Sequence, residues 1–408
     1  MASILYAWEF GANLGHIGTF LPVARELRRR GHRVHWVVTH PHQAARLLPR
    51  ENFAWLQAPT LPEARRDGPP LNYADILLRF GYANEHDLLG LTVAWRELLR
   101  LTAAELVLAD HAPTAILAAR SLHIPVMLFG GGFFAPPQIN PTPNMRPWLE
   151  VSAEALRRAD ALALSRVNAV LASFGKTPLS YLAELFRVAE DALLTFPELD
   201  HYADRGPANY WGTLPAAVAS PPQWPSDNAM RVFAYLRPES AHFAAALQAL
   251  QELSRRDAAV LVFAPGIDEA QRARHAGPQL SSQLSFTREP VDLNQVARQA
   301  HAAVTYASPA ATIAFLLAGK PALMMPGHLE QYLFAKRVED MGAGRLLSPE
   351  LAAQDLPHLL QQVLHDPELR ANAAAFARKY AHFDQTQVQT HIVARIEALV
   401  GSYKKESQ

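Results

Sequence analysis

Ala307-Ser308-Pro309-Ala310-Ala311-Thr312, running on to Pro326-Gly327-His328-Leu329-Glu330-Gln331, is the stretch whose reading decides the fold. Val304-Thr305-Tyr306 ahead of it reads as the end of a buried strand. Ser308 suits a helix N-cap, Pro309 suits the first helical position, and Gly319 stands where a helix should stop. A helix therefore begins at a strand's carboxyl end. Backbone N–H groups without intrahelical partners and the positive end of the helix dipole meet there, so an anion such as phosphate is the natural ligand. Any α/β protein also has plain capped turns of this kind, and the neighbours have to decide between the two.

Outward from this turn the same alternation repeats. Before it come apolar runs at Val232–Leu236, Ala259–Phe263, Leu284–Phe286 and Ala302–Tyr306, with helices expected from Glu239 to about Arg255 and from Leu293; after it comes Ala322–Met325. The first half has the same grammar. Ile4–Trp8 is a short continuous apolar run, Glu9 to Gly18 a glycine-punctuated loop, and Ile17, Phe20, Leu21, Ala24 and Leu27 lie at helical spacing up to Gly31. Val34–Thr39, Leu106–Asp110, a helical Thr114 to Leu122, Ile124–Phe129 and a closing strand Ala192–Phe196 follow. Strand, helix and strand at this spacing make right-handed βαβ units and a parallel sheet. The fold class is α/β, with two doubly wound domains: residues 1–212, a proline-marked linker over 213–229, residues 230–384, and a helix over 385–408 expected to pack back on the first domain.

Composition narrows the function classes. A chain of 408 residues is too long for one core and suits two domains of about 200 residues. Lys+Arg 38 against Asp+Glu 38 gives no electrostatic case for nucleic acid or an anionic membrane surface. With Cys at 0 there are no disulfides, thiol nucleophiles or thiolate metal sites. No apolar run reaches the roughly 18 residues of a membrane span, and no basic, apolar leader opens the chain, so a cytoplasmic location is the expectation. A dinucleotide cofactor is disfavoured. Gly11-Ala12-Asn13-Leu14-Gly15-His16-Ile17-Gly18 does not spell G-x-G-x-x-G, and the second strand ends Val38-Thr39-His40 with no acidic residue for a ribose.

Two zones are less regular. Pro59 to Leu101 carries Tyr73, Phe80, Tyr82 and Trp95; Gly130 to Trp148 carries Phe133, Phe134 and Trp148. These aromatics are either core beneath long loops or the wall of a ligand site above the strand ends, and Phe80, Phe133 and Phe134 are the acceptor-binding candidates.

Taken together, the motifs resemble the UDP-glycosyltransferase-like family of GT-B fold, over nearly the whole chain. The family's Gly-His pair and the Arg-Gly-His ending its first helix stand here as Gly15-His16 and Arg30-Gly31-His32. Its H-G-G-x-G-T turn, G-x-P, proline and acidic-Gln pair correspond to Tyr306 to Thr312, Gly319-Lys320-Pro321, Pro326 and Glu330-Gln331. The resemblance implies two Rossmann-like domains with an interdomain cleft, and inverting transfer from a nucleoside diphosphate sugar without metal or cofactor. It implies His16 as general base, with Asp110 steadying the imidazolium. An imidazole, with its reference pKa of about 6.5, suits removal of a proton from an attacking hydroxyl. Asp110 could equally cap the next helix. The donor would meet Ser308, Thr312, Tyr306 and Arg237 at its phosphates, Glu330 and Gln331 at its sugar, and the backbone at Pro290 and Val291 at its base.

The departures fall in the turn. Tyr306 replaces the family's histidine, and Ala307, Ser308 and Ala310 replace glycines. Two functions follow. One is an inverting transferase acting on a hydroxyl of a partly apolar small molecule. The other is a non-catalytic nucleotide-sugar-binding or partner-activating relative. A homodimer is left open.

Overall fold

Among the described residues twelve strands form two parallel sheets, whose central strands are apolar runs buried on both faces. The computed structural model describes residues 1–11, 14–216, 220–227, 230–256, 258–276, 281–347 and 355–406. Ala12 and Asn13 of the glycine-punctuated loop, 217–219 and 228–229 of the expected linker, and the last two residues of the tail lie outside the described residues. The chain divides into two compact units, Met1–Ala217 with Asp384–Gln408, and Val218–Phe383.

In the first unit the strands are β1 (Ser3–Trp8), β2 (Arg33–Val38), β3 (Trp55–Gln57), β4 (Leu106–Asp110), β5 (Val126–Gly130) and β6 (Glu190–Leu193), in the order β3-β2-β1-β4-β5-β6. The second has β7 (Met230–Tyr235), β8 (Ala258–Phe263), β9 (Leu284–Thr287), β10 (Ala302–Thr305), β11 (Ala322–Met324) and β12 (Gly344–Leu346), in the order β12-β11-β10-β7-β8-β9. Counted within its own unit, each order is that of a doubly wound dinucleotide-type sheet. β1 and β4 in one, and β7 and β10 in the other, are neighbours where the strand order reverses. Connections after those strands leave toward opposite faces, which opens a crevice at the carboxyl ends.

Each unit has its own core. Tyr6, Trp8, Phe20, Trp36 and Phe129 pack together in the first, with Ile392, Val393 and Ile396 of the final helix Gln385–Glu406. That helix is further tied down by Glu397 on Arg30 at 2.9 Å and by Gln389 Nε2 donating to the Pro22 carbonyl at 2.9 Å. In the second unit Val232, Leu247, Val260, Val304 and Leu323 form the centre.

Several elements differ from expectation. The first helix starts at Gly15, so His16 sits in its first turn and not in a loop; the Gly18 N–H to Leu14 carbonyl bond closes that turn. The helix expected from Glu239 starts at Phe243, because a Ser240 N–H to Arg237 carbonyl turn intervenes. β6 ends at Leu193, where its partner β5 ends at Gly130, so the strand lies earlier than Ala192–Phe196. The irregular zone holds two helices, Tyr73–Arg79 and Glu85–Leu101, capped by the side chains of Asn72 and Asn84. Ser220, within the expected linker, pairs with Val291 of the second unit.

Candidate active site

β1 and β4 are paired in parallel with Trp8 opposite Asp110, so the chain leaves both strands at the same level. Asp110 is the last residue of β4, and His16 lies on the first turn of the helix that β1 feeds. The crevice at the strand ends thus brings together two residues 94 apart in sequence: His16 Nδ1 lies 2.9 Å from Asp110 Oδ2. Tyr6, from the middle of β1, donates its hydroxyl hydrogen to the same Oδ2 at 2.6 Å, and its oxygen also stands 3.0 Å from the His16 carbonyl. Burial and the adjacent Asp110 push the Tyr6 phenol well above its ordinary pKa, so it stays a donor.

An ionised carboxylate only accepts hydrogen bonds, so the proton in the His16–Asp110 bond belongs to Nδ1 and Nε2 is the ring's basic nitrogen. Asp110 Oδ1 is buried with no hydrogen-bond partner among the described residues. A carboxylate satisfied on one oxygen only keeps much of its charge for the imidazole it faces. The ring is held by stacking on Trp8, centroid to centroid 4.8 Å, and flanked by Phe134 at 5.6 Å.

Two glycines make room for this arrangement. At Gly11, φ +89, a Cβ would stand 2.9 Å from His16 Nε2. At Gly130, φ +141, it would stand 3.0 Å from Asp110 Oδ1 and 3.2 Å from Phe134 Cδ2. Gly130→Ala combines a backbone that favours glycine with overpacking, and is expected to lower stability by about 1–3 kcal/mol in chemical denaturation. A change below about 0.5 kcal/mol would show that the carboxylate site is loosely packed.

His111, directly after Asp110, has φ +48 and stacks on Phe134 at 4.1 Å. Burial holds its pKa well below the histidine range, so it is a neutral aromatic plank. Phe134 is half-buried beside His16, whereas Phe133 is only 5% exposed and packs edge-on against His111 and His201. Of the pair, Phe134 flanks the His16 ring and Phe133 packs edge-on against Phe134. Phe80 is half-buried against Phe10 at 4.7 Å and lines a cavity of about 260 Å³ together with Glu9, Phe10, Gly11, Thr39, His40, Thr60, Leu61 and Leu91.

In the second unit the reversal point lies between β7 and β10, where Tyr235 is opposite Thr305. Arg237 follows the first strand and Tyr306 the second, with the guanidinium carbon 4.8 Å from the Tyr306 ring centroid and Nη2 3.4 Å from its hydroxyl. The helix Pro309–Leu317 begins here, and its first ladder bond runs from Thr312 N–H to the Ser308 carbonyl. The Ala310 and Ala311 N–H groups precede that bond and have no intrahelical partner by helix geometry.

Two of three residues expected at the donor have other partners here. Ser308 occupies the N-cap position, as expected, but its side chain makes no capping bond. Thr312 is fully buried and its hydroxyl pairs with Thr305 Oγ1 at 3.1 Å, which braces strand to helix. Gln331 is 7% exposed and its Oε1 accepts from the Gly327 N–H at 2.8 Å, which commits its acceptor oxygen to the loop; Glu330 next to it is half-buried. At Val291, pairing with Ser220 takes up the Pro290 carbonyl and the Asp292 N–H. In a parallel bridge the backbone groups of Val291 itself then face the other way.

Ala307 lies at φ +60, where a side chain is disfavoured by about 1–2 kcal/mol. The left-handed turn that glycine would supply is therefore kept although the glycine is gone. The Ala307 N–H, donated to Thr305 Oγ1 at 3.1 Å, helps hold it.

Sequence reasoning did not single out Tyr6, Glu9 or Gly11. Tyr6 was hidden in an apolar run; Glu9, a carboxylate at a central strand's carboxyl end, was the one that position alone could have flagged.

A two-unit chain with both sheets in this strand order, and polar clusters at both reversal points, is the architecture of the GT-B class. Solved structures agree along nearly the full length. The glycosyltransferase VinC in complex with dTDP is 18% identical, with a TM-score of 0.68 over 98% of this chain and 100% of that one. The spinosyn rhamnosyltransferase SpnG complexed with spinosyn aglycone is 16% identical, TM-score 0.69 over 97% and 100%. The calicheamicin glycosyltransferase CalG4 is 20% identical, TM-score 0.69 over 98% of each. No family model matches the sequence, and no curated protein matches it. The chain has the GT-B fold of these glycosyltransferases. Among the described residues no helix is long and apolar enough to cross a membrane, and no group of three or more His, Asp or Glu is placed to hold a metal ion.

Proposed function

We propose that the protein is an inverting glycosyltransferase. It moves a sugar from a nucleoside diphosphate donor to a hydroxyl of a partly apolar small molecule, with His16 as general base and Asp110 as its partner. The observation that carries this is the Tyr6–Asp110–His16 chain, which holds one imidazole in one tautomer beside an apolar wall. His16 Nε2 takes the acceptor's proton as the acceptor oxygen attacks the anomeric carbon and that carbon's bond to the diphosphate breaks, releasing the nucleoside diphosphate, and Asp110 stabilises the resulting imidazolium through Nδ1–H. Tyr6 does not touch substrate; it fixes the carboxylate.

On the donor side, Arg237 and the N–H groups of Ala310 and Ala311 supply the phosphate contacts. An arginine that offers a fork of donors can replace a turn histidine, and it stays charged at every relevant pH. Tyr306 then serves as the platform that positions the guanidinium. Ser308 remains a candidate hydroxyl donor at the turn. The backbone of Val291 suits the edge of a base, and Glu330 suits sugar hydroxyls. Dependence on TDP or UDP is within this proposal: VinC and SpnG were both solved with thymidine diphosphate.

Calorimetric titration with TDP and UDP tests the donor half. The wild-type protein is expected to bind one of them, and Arg237→Met to weaken that binding about 10- to 100-fold, the value of a charge-assisted pair. Equal binding by the variant would remove Arg237 from the donor site. The turn's departures from the family motif favour one rival, a non-catalytic nucleotide-sugar binder. It predicts binding with no transfer.

A further inference from the structure

We propose that Glu9 is a specificity-determining residue: it reads an uncharged oxygen of the acceptor, with which it shares a hydrogen bond at the floor of the cavity walled by Phe10, Leu61, Phe80 and Leu91. The proposal rests on the transferase reading for what the cavity is for, but not for what it binds.

Four observations carry it. First, Glu9 is 2% exposed and still forms part of the wall of a 260 Å³ cavity, so it is buried beside a space as well as against the helix it meets. Second, among the described residues no Lys or Arg lines that cavity to neutralise a carboxylate. The Thr114 N–H, at the start of the helix Pro113–Ser121, donates to Glu9 Oε2 at 2.9 Å, and the Thr114 hydroxyl and the Ala115 N–H also favour the ionised carboxyl, though burial outweighs all three. Third, the cavity adjoins the proposed base: Gly11 belongs to its wall and backs onto His16 Nε2. Fourth, the remaining polar groups on the wall, Thr39, His40 and Thr60, share it with Phe10, Leu61, Phe80 and Leu91, a mixed lining that suits a partly apolar ligand.

Charge selects the ligand class. Burial pushes the Glu9 carboxyl up to about 8, and burial likewise lowers the His40 imidazole. Near neutrality the carboxyl is therefore an O–H donor and the imidazole is uncharged, so the whole wall is neutral. A neutral acid in an apolar pocket rewards an uncharged oxygen on the ligand. An unpaired cation or anion would have to be desolvated there at a large cost.

Binding of three small probes to the full-length protein without donor tests this at pH 7: 2-naphthol, 2-methylnaphthalene and 2-naphthylmethylammonium. Wild type should bind 2-naphthol about 5- to 10-fold more tightly than 2-methylnaphthalene, the value of one buried hydrogen bond, and bind the ammonium most weakly. Glu9→Gln, whose amide can donate in place of the acid, should keep the preference; Glu9→Leu should reduce it to less than about twofold. Similar affinities for all three probes in wild type, tightest binding of the ammonium, or an undiminished preference in Glu9→Leu would overturn the proposal. Should Glu9→Leu fail to fold, the wild-type ranking and its retention in Glu9→Gln decide the matter. No donor or turnover is involved, so a protein that failed to transfer sugar could still pass, and an active transferase could still fail.

Discussion

His16→Ala is expected to lower kcat for sugar transfer by about 10²- to 10⁴-fold while leaving the affinity for the nucleoside diphosphate unchanged. His16 lies in the first unit, whereas Arg237 and the Ala310 and Ala311 N–H groups proposed to meet the phosphates lie in the second. Two neighbouring titratable groups cannot take the place of His16. His111 is buried and faces Phe134, and Asp110 is covered by Tyr6 and by the imidazole itself. Loss of the side chain also leaves Asp110 buried with one partner fewer, so a drop in stability is expected beside the drop in rate. Steady-state kinetics together with calorimetry of nucleotide binding separates the two effects. A variant that transfers within about twofold of wild type would place the base elsewhere.

Asp110→Asn is expected to lose a comparable factor, about 10²- to 10⁴-fold in kcat, for a different reason. The substitution keeps the shape, but an amide nitrogen donates where the carboxylate accepted. Tyr6 and His16 meet the same Oδ2, so with the nitrogen there the Tyr6 hydroxyl accepts from it and turns its own hydrogen to the His16 carbonyl 3.0 Å away. Opposite Nδ1 at 2.9 Å, that nitrogen favours the tautomer with the proton on Nε2, the one that cannot remove a proton from an acceptor. Nitrogen-15 NMR of the His16 ring should show the proton moving from Nδ1 to Nε2. A change of tautomer with transfer intact, or a loss of transfer with the tautomer unchanged, would each contradict the role assigned to Asp110.

The architecture was legible because βαβ grammar is local. Apolar runs of about four to six residues between helical periods mark strands, and Leu106–Asp110 reads identically in sequence and structure. Where reading failed, the cause was also physical. The helix Glu85–Leu101 was lost among scattered aromatics although Asn84 caps it and Leu88, Leu91, Trp95 and Leu99 mark its face. For His16 and Asp110, what sequence could not supply is the register that sets Trp8 opposite Asp110 and so brings the two within hydrogen-bond reach. Thr312 shows the opposite limit. Its position after a turn suggested a phosphate ligand, but the helical period turns it inward onto Thr305. Ala307 is the most informative residue of the turn. Its φ of +60 gives an alanine the backbone shape that glycine favours, which the residue type alone would not suggest.

The most direct test is a proton NMR time course of the wild-type protein with nucleoside diphosphate sugars and a panel of partly apolar alcohols and phenols that carry a second uncharged oxygen. Free nucleoside diphosphate and a glycoside of anomeric configuration opposite to the donor's should appear together at equal rates. A nucleotide that binds, with no glycoside formed across the donor panel, would contradict catalysis and leave a sugar-nucleotide-binding protein; a glycoside of retained configuration would contradict His16 as the base of a single displacement.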